Sequence, residues 1–355
     1  MKISQNYLVA EDCRLAFNEV QNKLRSLQNK TLLVTGGTGF MGSWLTEMVH
    51  YMNENHEMNI RLFLMARSQN RLEKNLPHIK SSKNIKFIYS DVTGNIVFPK
   101  TVNYIIHAAS NPDSRYHASQ SFDSMTSVAD GTSSVFKSAL RLSNLENILN
   151  ISSSAIYSKT LHDNEKFCED DVNKIYFSYL PNYFGDANLY AESLCAAARS
   201  QLRLPIVTVR PFTFCGPYQS IDSPWAINNF INDAINKRPI RIHHDGEVIR
   251  SYMYGSDLAV WLLVILLHGK NGQAYNVGNT NGYTLKNLAN KVASCFSSPP
   301  RIILNTSLVP GSQHSILLPD ISKSKKEFGL DLSTDINKAI QRSVQWHKQE
   351  ANYVE

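Results

Sequence analysis

A glycine-rich turn between a strand and a helix is the feature that most limits how this chain can fold. Residues 31–42 read TLLVTGGTGFMG, an apolar run that continues into three glycines at the spacing G-x-x-G-x-x-G. These glycines are Gly36, Gly39 and Gly42. The apolar residues that follow recur at helical spacing, namely Leu45, Met48, Val49 and Met52. Glycines let a backbone approach phosphates closely, and a helix N-terminus offers free N–H groups, so this segment predicts a dinucleotide-binding unit.

Short apolar runs alternate with helical stretches beyond this turn. This alternation predicts an α/β fold built on a doubly wound parallel sheet of the Rossmann type. The candidate strands are residues 31–35, 60–65, 85–89, 102–106, 147–151 and 205–209. In such folds the ligand lies at the carboxyl ends of the strands, so candidate functional residues are expected where these strands end.

Three regions are expected along the chain. An amphipathic helical extension precedes the first strand, because Phe17, Val20, Leu24 and Leu27 recur at helical spacing. After Arg210, prolines and glycines interrupt the regular alternation, which indicates a smaller C-terminal substrate-binding lobe. The expected regions are the extension over 1–30, the Rossmann domain over 31–212 and 252–280, and the lobe over 213–251 and 281–350.

Composition narrows the class of ligand and the compartment. A net charge of +6 over 355 residues is compatible with an anionic small ligand, and without a basic tail it argues against nucleic-acid binding. The five cysteines lie far apart, which predicts neither a disulfide framework nor a metal site. The longest apolar run, 258–267, is too short to cross a membrane, which takes ~20 residues. We therefore expect a cytoplasmic protein without a membrane span.

Six short motifs occur in order after the glycine turn. They are HAAS at 107–110, ISSSAIY at 151–157, YAES at 190–193, RPFTFCGP at 210–217, GEVIRSY at 246–252 and YNVG at 275–278. Together with the glycine turn they resemble the extended short-chain dehydrogenase/reductases, in particular the NAD(P)-dependent nucleotide-sugar epimerase/dehydratase family. The resemblance spans about residues 31–348.

The resemblance implies roles for the matching positions. The implied catalytic residues are Ser153 and Tyr190, and the implied substrate contacts are Ser154, Thr213 and Arg250. The implied cofactor contacts are Gly36, Gly39, Phe40, Met41, Gly42, Arg67, Asp91, Val92, Ala108, Ala109 and Ser110. The chemistry agrees with these roles. A tyrosine hydroxyl can shuttle the proton that accompanies hydride transfer, a serine hydroxyl can hold the same oxygen, and an arginine fork suits a diphosphate.

The catalytic motif departs from the family pattern Tyr-x-x-x-Lys. The fourth residue after Tyr190 is Leu194, so the ammonium that lowers the pKa of the tyrosine and holds the nicotinamide ribose is missing. Three outcomes are open at this point. The enzyme works mainly as a reductase, another cation substitutes for the lysine, or activity is lost.

Two further departures bear on the reaction and the cofactor. Family members that eliminate water carry Asp-Glu after the catalytic Ser/Thr, and the sugar-acid decarboxylases carry a Glu there. Ser154 and Ala155 supply no such acid–base pair, which argues against both reactions. The second strand ends at Arg67 without the acidic residue that binds NAD ribose, which favours NADP over NAD, unless Arg67 stacks on adenine or faces solvent. Thr213 replaces the usual Asn of the Arg-x-x-Asn motif, which leaves a substrate contact there uncertain.

The sequence thus predicts an NAD(P)-dependent enzyme that acts on a nucleotide-diphosphate sugar. The expected reaction is reduction or epimerisation at C4 through a keto-sugar, in surface-polysaccharide biosynthesis by family analogy. Two alternatives stay open, a catalytically impaired dinucleotide-binding protein, which Leu194 suggests, and a reductase of a non-nucleotide ketone. A homodimer is expected by analogy alone.

Overall fold

A seven-stranded parallel sheet forms the centre of the molecule. The computed structural model describes residues 3–68, 75–159, 166–174, 182–243, 245–304 and 315–351. The strands of this sheet are β1 (Thr31–Thr35), β2 (Arg61–Ala66), β3 (Ile85–Tyr89), β4 (Tyr104–His107), β5 (Asn147–Ile151), β6 (Ile206–Pro211) and β11 (Ala274–Val277). They lie in the order β11-β6-β5-β4-β1-β2-β3. Every neighbouring pair runs parallel, so the carboxyl ends of all seven strands meet at one edge.

Helices connect these strands and build the rest of the fold. They are α1 (Ile3–Asn18), α2 (Gln21–Leu24), α3 (Phe40–His56), α4 (Ser114–Ser119), α5 (Ser121–Ala139), α6 (Tyr183–Leu202), α7 (Ala226–Ile235), α8 (Gly255–His268), α9 (Leu285–Ala293), α10 (Ser322–Phe328) and α11 (Ile336–Ala351). Short 3-10 helices span Arg25–Leu27, Pro77–Ser81, Ser154–Lys159 and Glu169–Lys174. Over the described residues, no helix is both long enough and apolar enough to cross a membrane.

Seven short strands form three small sheets outside the central one. They are β7 (Phe214–Cys215), β8 (Ile240–Ile242), β9 (Ile249–Arg250), β10 (Met253–Tyr254), β12 (Tyr283–Thr284), β13 (Ile302–Leu304) and β14 (Ile316–Leu317). The small sheets have the orders β10-β7, β12-β9-β14 and β13-β8. All of them except β10 lie within the residues that the sequence assigns to a substrate-binding lobe, and that domain division stays a prediction.

The central sheet is covered on both faces, as the doubly wound prediction requires. Successive side chains of a strand point to opposite faces. Leu32 and Val34 of β1 accordingly join the larger apolar cluster with α3 and α8, whereas Leu33 joins a second cluster with α5 and α6. All three side chains are fully buried. The predicted Rossmann-type α/β fold is therefore confirmed.

The predicted strands agree closely with the observed ones. Three of them match residue for residue, namely 31–35, 85–89 and 147–151. The ends of the other three differ from the prediction by one or two residues. The prediction did not identify β11 as a strand, although its motif was recognised. β11 has only one neighbour in the sheet, β6, and its four residues are too few to show a clear apolar pattern.

The N-terminal extension packs onto the body of the protein. Phe17, Val20, Leu24 and Leu27 are all buried, as their helical spacing predicts, although α1 ends at Asn18 and a second short helix follows. The buried carboxylate of Asp12 accepts a hydrogen bond from the Tyr254 hydroxyl at 2.8 Å and pairs with Arg342 at 3.3 Å. These contacts join α1 to the start of α8 and to α11.

His107 connects three elements at the edge where the ligand is expected. Its Nδ1 lies 2.8 Å from the Thr35 hydroxyl of β1, and its Nε2 lies 3.3 Å from the Thr132 hydroxyl of α5. The Thr132 hydroxyl donates to the Val128 carbonyl, so it accepts from Nε2–H and leaves Nδ1 to accept from Thr35. The bonds therefore suit a neutral imidazole, and burial lowers its pKa to about 4.

This neutral histidine predicts a loss of stability in acid. The unfolded chain binds a proton at His107 near pH 6.5, whereas the folded chain binds it only near pH 4. The unfolded state holds more protons between these values, so stability falls as the pH drops through this window. Urea unfolding of wild type and His107→Asn at about pH 7 and about pH 4.5 should show an extra loss of about 2 kcal/mol in wild type. Equal losses in the two proteins would contradict this assignment.

Candidate active site

The glycine turn has two tightly packed positions and one open position. Gly36 adopts φ +71°, and a Cβ there would lie 2.5 Å from the Ala108 carbonyl oxygen. A Cβ at Gly42 would lie 2.5 Å from the carbonyl oxygen of Gly37. At Gly39 the nearest atom to such a Cβ is the Gly36 carbonyl oxygen, at 3.3 Å. Gly36 and Gly42 are thus required by packing, whereas Gly39 leaves open space above the turn.

The start of α3 faces this open space. Gly39 is the N-cap residue and contributes no side chain, and the helix begins at Phe40. The backbone N–H groups of Phe40, Met41 and Gly42 belong to the first turn, where an α-helix has no internal acceptors for them. With the positive end of the helix dipole they form a site for an anion such as a pyrophosphate.

The predicted adenine-side contacts lie where β2 and β3 end. Arg67 follows β2 and is exposed. Two hydrogen bonds from Thr93, one from its backbone N–H and one from its hydroxyl, lower the pKa of Asp91, and the positive charge of Arg67 acts in the same direction. Val92 touches α5 at Gly131, where a Cβ would lie 2.9 Å from Val92 Cγ1. The structure therefore brings these three residues to the expected edge of the sheet.

A narrow cleft lies across the ends of β4 and β5, and one of its lining residues, Ala108, is close to Gly36 of the glycine turn. Ala108, Ala109 and Ser110 line one side of it, as expected for the nicotinamide half of a dinucleotide. Asn150 also lines the cleft, and its buried Nδ2 has no hydrogen-bond partner among the described residues. An orphaned buried donor is costly, so a ligand oxygen is a natural acceptor. With the open cradle at Gly39, these residues fit a nicotinamide dinucleotide.

The serines that follow β5 differ in their surroundings. The Ser153 Oγ accepts a hydrogen bond from the Ala155 backbone N–H at 3.1 Å. This bond uses the oxygen as an acceptor and leaves the hydroxyl hydrogen to donate to a ligand. Ser154 begins the 3-10 helix and is only 7% exposed. Ser153 is therefore the better placed of the two to act on a substrate.

Tyr190 does not occupy the place that the sequence predicts for it. It is 54% exposed on α6, whereas Asn188 is 3% exposed and lines the cleft together with Ala191. Each residue of an α-helix turns by about 100°, so Tyr190 lies about 200° from Asn188 and points away from the cleft. The expectation that its phenol faces the nicotinamide is corrected accordingly.

Phe184 and Asn188 stand at the spacing of the family's Tyr-x-x-x-Lys pair on the inner face of α6. They are four residues apart, and the Asn188 Nδ2 donates to the Phe184 carbonyl oxygen at 2.8 Å. Leu194, the residue four after Tyr190, packs instead against the apolar cluster under the sheet. Its residue type and its place in the motif order favoured Tyr190 as the catalytic tyrosine. The helical spacing of Phe184, Asn188 and Ala191 would instead have indicated which face of α6 points to the cleft.

A buried ion pair joins α6 to the end of β6. Arg210 donates to both Glu192 carboxylate oxygens, from Nε at 3.0 Å and from Nη2 at 2.7 Å. Its Nη1 donates to the Tyr157 hydroxyl at 2.9 Å and to the Glu169 carbonyl oxygen at 2.7 Å. Arg210 and Glu192 both fall within the sequence motifs, which predicted no role for either residue. The pair makes Arg210 a structural residue.

Arg250 differs from Arg210 in its partners. Its guanidinium donates to the Ile249 carbonyl at 2.7 Å, to the Ser315 carbonyl at 2.8 Å and to the Ser315 hydroxyl at 3.1 Å. Burial lowers its pKa, and these acceptors carry no charge. Three residues later in the chain, the Met253 N–H donates to the carbonyl of Thr213, another predicted substrate contact. A partly buried cation with neutral partners is suited to an anionic ligand.

Curated proteins resemble this chain over most of its length. A UDP-glucuronic acid decarboxylase of Arabidopsis thaliana is 26% identical over 315 residues, which cover 88% of this chain and 87% of that protein. A trifunctional UDP-glucose 4,6-dehydratase, UDP-4-keto-6-deoxy-D-glucose 3,5-epimerase and UDP-4-keto-L-rhamnose-reductase of the same plant is 24% identical over 90% of this chain. The chain spans about half of that relative, 47% of its length.

Solved structures share the fold at low sequence identity. An epimerase from Methanothermobacter thermautotrophicus has a TM-score of 0.79 and 20% identity over 95% of this chain and 98% of its own. A UDP-glucuronic acid 4-epimerase from Bacillus cereus, solved with UDP-glucuronic acid and NAD, has a TM-score of 0.75 and 21% identity over 90% and 99%. The model of the NAD dependent epimerase/dehydratase family matches residues 32–278, and the chain belongs to this family.

Proposed function

We propose that this protein is an NADP(H)-dependent oxidoreductase or epimerase that acts at C4 of a nucleotide-activated sugar through a keto-sugar. The observation that carries the proposal is the partly buried guanidinium of Arg250, whose hydrogen bonds among the described residues all go to neutral oxygens. A nucleoside diphosphate supplies the missing negative charge. Relatives and neighbours whose names include UDP-sugars support this substrate class.

In such a reaction, different residues would bind the cofactor, orient the reacting oxygen and hold the diphosphate. The dinucleotide supplies or accepts the hydride when bound. The first turn of α3 holds its pyrophosphate, and the open position at Gly39 admits it. Ser153 donates a hydrogen bond to the reacting sugar oxygen, because its Oγ is already oriented by the Ala155 N–H. Arg250 holds the diphosphate, which fixes the distance of the sugar from the nicotinamide.

Elimination and decarboxylation are less well supported than oxidation or reduction, although relatives of this chain carry such names. Removal of water requires a proton donor for the leaving hydroxyl and a base for the carbon acid. Ser154 and Ala155 follow Ser153 in the chain, and neither side chain is acidic. Chemistry confined to one sugar carbon needs no such pair.

The choice between NADP and NAD depends on Arg67. The family is NAD-dependent, and solved neighbours contain NAD. We favour NADP because Arg67 is exposed at the end of β2, close enough to affect the pKa of Asp91, and it can pair with a 2′-phosphate. Comparison of the Kd values for NADPH and NADH in wild type and Arg67→Ala decides between the two cofactors.

A second candidate function is a dinucleotide-binding protein without catalysis. It is favoured by the outward position of Tyr190, which is 54% exposed, and by Phe184 and Asn188 on the inner face of the same helix. In such a protein the cofactor cradle and Arg250 would bind ligands without turnover. Tight cofactor binding together with no reaction across a broad panel of nucleotide-sugars would favour this candidate.

We place the enzyme in the cytoplasm, in surface-polysaccharide biosynthesis, as a homodimer. All five cysteines are free thiols, which agrees with a reducing compartment. Phe122 of α5 and Tyr190 of α6 are exposed at 77% and 54% on two helices that pack together, which supports a contact with a second copy. Sedimentation equilibrium should therefore give a dimer for wild type and a larger monomer fraction for Phe122→Glu. A monomeric wild type would contradict the homodimer.

Substitution of Gly39 tests the cofactor cradle. The added Cβ in Gly39→Ala meets only the Gly36 carbonyl oxygen at 3.3 Å, so the fold should tolerate it, but the methyl group would occupy the approach of the pyrophosphate. Calorimetric titration should show an affinity for NADPH at least about tenfold weaker, or about 1.4 kcal/mol. Gly94→Ala is the matched control, since its Cβ would lie 3.4 Å from the Asp91 carbonyl oxygen in a surface turn. Equal affinities in the two variants would argue against this cradle.

The main test of function is turnover of a panel of UDP- and dTDP-sugars, both 4-keto and 4-hydroxy, with NADP(H) and NAD(H). Wild type should convert at least one member, and Arg250→Gln should raise its KM about 10- to 100-fold because the diphosphate loses a charge-assisted bond. Arg241→Gln, on the exposed side of β8, is the control and should leave KM unchanged. Unchanged KM in Arg250→Gln, with no binding of UDP, would instead favour a non-nucleotide ketone as substrate.

A further inference from the structure

Asn150 places an amide in the cleft wall, on the face of the sheet that α5 and α6 cover. Side chains two residues apart on a strand share a face, so Asn150 points to the same side as Ile148, which belongs to the apolar cluster with α5 and α6. Asn150 is 1% exposed and lines the cleft, where Val128 and Ala191 contribute apolar side chains. A buried amide in such surroundings needs a hydrogen-bonding partner.

The polar side chains next to Asn150 are engaged elsewhere. His107 lies opposite Asn150 in the sheet register, but its two ring nitrogens already bond to Thr35 and Thr132. The Thr132 hydroxyl donates its hydrogen to the Val128 carbonyl. Over the residues that the structure describes, nothing accepts from Asn150 Nδ2. The cleft wall therefore contains an unused hydrogen-bond donor.

Asn188 contributes an unused acceptor to the same cleft. The Phe184 carbonyl oxygen can only accept, so the Asn188 amide nitrogen faces it at 2.8 Å and Oδ1 is left over. None of the described residues donates to this oxygen. Asn188 is 3% exposed and lines the cleft together with Asn150. A hydroxyl group both accepts and donates, so one hydroxyl can satisfy this donor and this acceptor at once.

The place of the cleft next to the glycine turn indicates which hydroxyl this is. A Cβ at Gly36 would lie 2.5 Å from the carbonyl oxygen of Ala108, and Ala108 also lines the cleft. The cleft thus lies beside the cradle for the pyrophosphate. A dinucleotide carries one ribose on each side of its pyrophosphate. The adenine-side ribose extends toward Arg67 and Asp91, so the ribose that reaches β4 and β5 is the one that carries the nicotinamide.

Resting on the proposed function, we propose that Asn150 and Asn188 are positioning residues that hold a hydroxyl of the nicotinamide ribose. Asn150 Nδ2 donates to the hydroxyl oxygen, and Asn188 Oδ1 accepts the hydroxyl hydrogen. This grip fixes the ribose and with it the face and depth at which the nicotinamide ring is presented. Neither side chain is ionisable, so a neutral amide pair, and not a second cation, takes the place of the ammonium that this chain lacks.

The stability of the ligand-free protein separates this role from a structural one. An unpartnered buried amide lowers stability, and an apolar side chain of similar size removes the unsatisfied group. Val is close to Asn in size and favours strands. Asn150→Val should therefore raise the Tm of the ligand-free protein by about 2 °C. A residue that served the scaffold alone would lower the Tm when replaced, so a Tm below that of wild type would contradict the proposal.

Titration with a truncated series of ligands tests the ribose contact without turnover. NADPH, ADP-ribose and ADP share the diphosphate, but only the first two carry the second ribose; each is used with or without the 2′-phosphate, as wild type prefers. Asn150→Val and Asn188→Leu should bind the two ribose ligands about 5- to 10-fold more weakly, while their affinity for ADP stays within about twofold. Asn290→Leu is the matched control for Asn188, since its amide makes the same bond to the carbonyl four residues earlier on an exposed helix.

The outcomes separate this proposal from the proposed reaction. An affinity of Asn150→Val for ADP-ribose within twofold of wild type, or an equal loss for ADP, would overturn the ribose contact even if a sugar is converted. Weakened ribose binding without conversion of any sugar would leave the contact standing and count against the reaction. In wild type, the side-chain amide ¹H–¹⁵N signals of Asn150 and Asn188 should shift with ADP-ribose but not with ADP. Unchanged signals at saturating ADP-ribose would overturn the proposal whatever the variants do.

Discussion

The ion pair between Glu192 and Arg210 determines which side of α6 faces the cleft. Both carboxylate oxygens accept from the guanidinium, and the two side chains are 15% and 5% exposed. A bidentate pair of this kind is directional, and breaking it would leave a charge buried without its partner. Because Glu192 is turned inward, Asn188, about 40° away around the helix, is inward too. Tyr190 is then about 200° from Glu192 and must face outward.

The orientation of α6 about its own axis determines which of its side chains can take part in a reaction at the cleft. The inner face presents an aromatic ring without a hydroxyl and an amide instead of an ammonium. Neither group can exchange a proton near neutral pH, so any hydride transfer needs an acid–base residue from another element.

Local patterns made the fold predictable, whereas the side-chain geometry of the site was not. The glycine turn and the apolar runs specify strand, turn and helix within a few residues, so β1, β3 and β5 were located to the residue. The orientation of α6 about its own axis depends on the ion pair between Glu192 and Arg210. Arg210 lies 18 residues away in the sequence, on another element. A prediction based on the residue types within the motif therefore named Tyr190 as the catalytic tyrosine.

Arg210 and Arg250 differ in how the described residues compensate their positive charges. Arg210 donates hydrogen bonds to the Glu192 carboxylate and to two neutral oxygens, so its charge is compensated within the protein. Within the part of the chain that the structure describes, the hydrogen bonds of Arg250 go to neutral oxygens, and burial lowers its pKa. Desolvating a cation without an opposite charge costs stability, and folding alone gives no reason to keep it. Under the proposed function, a bound diphosphate would offset that cost, and we therefore assign Arg210 to the scaffold and Arg250 to substrate binding.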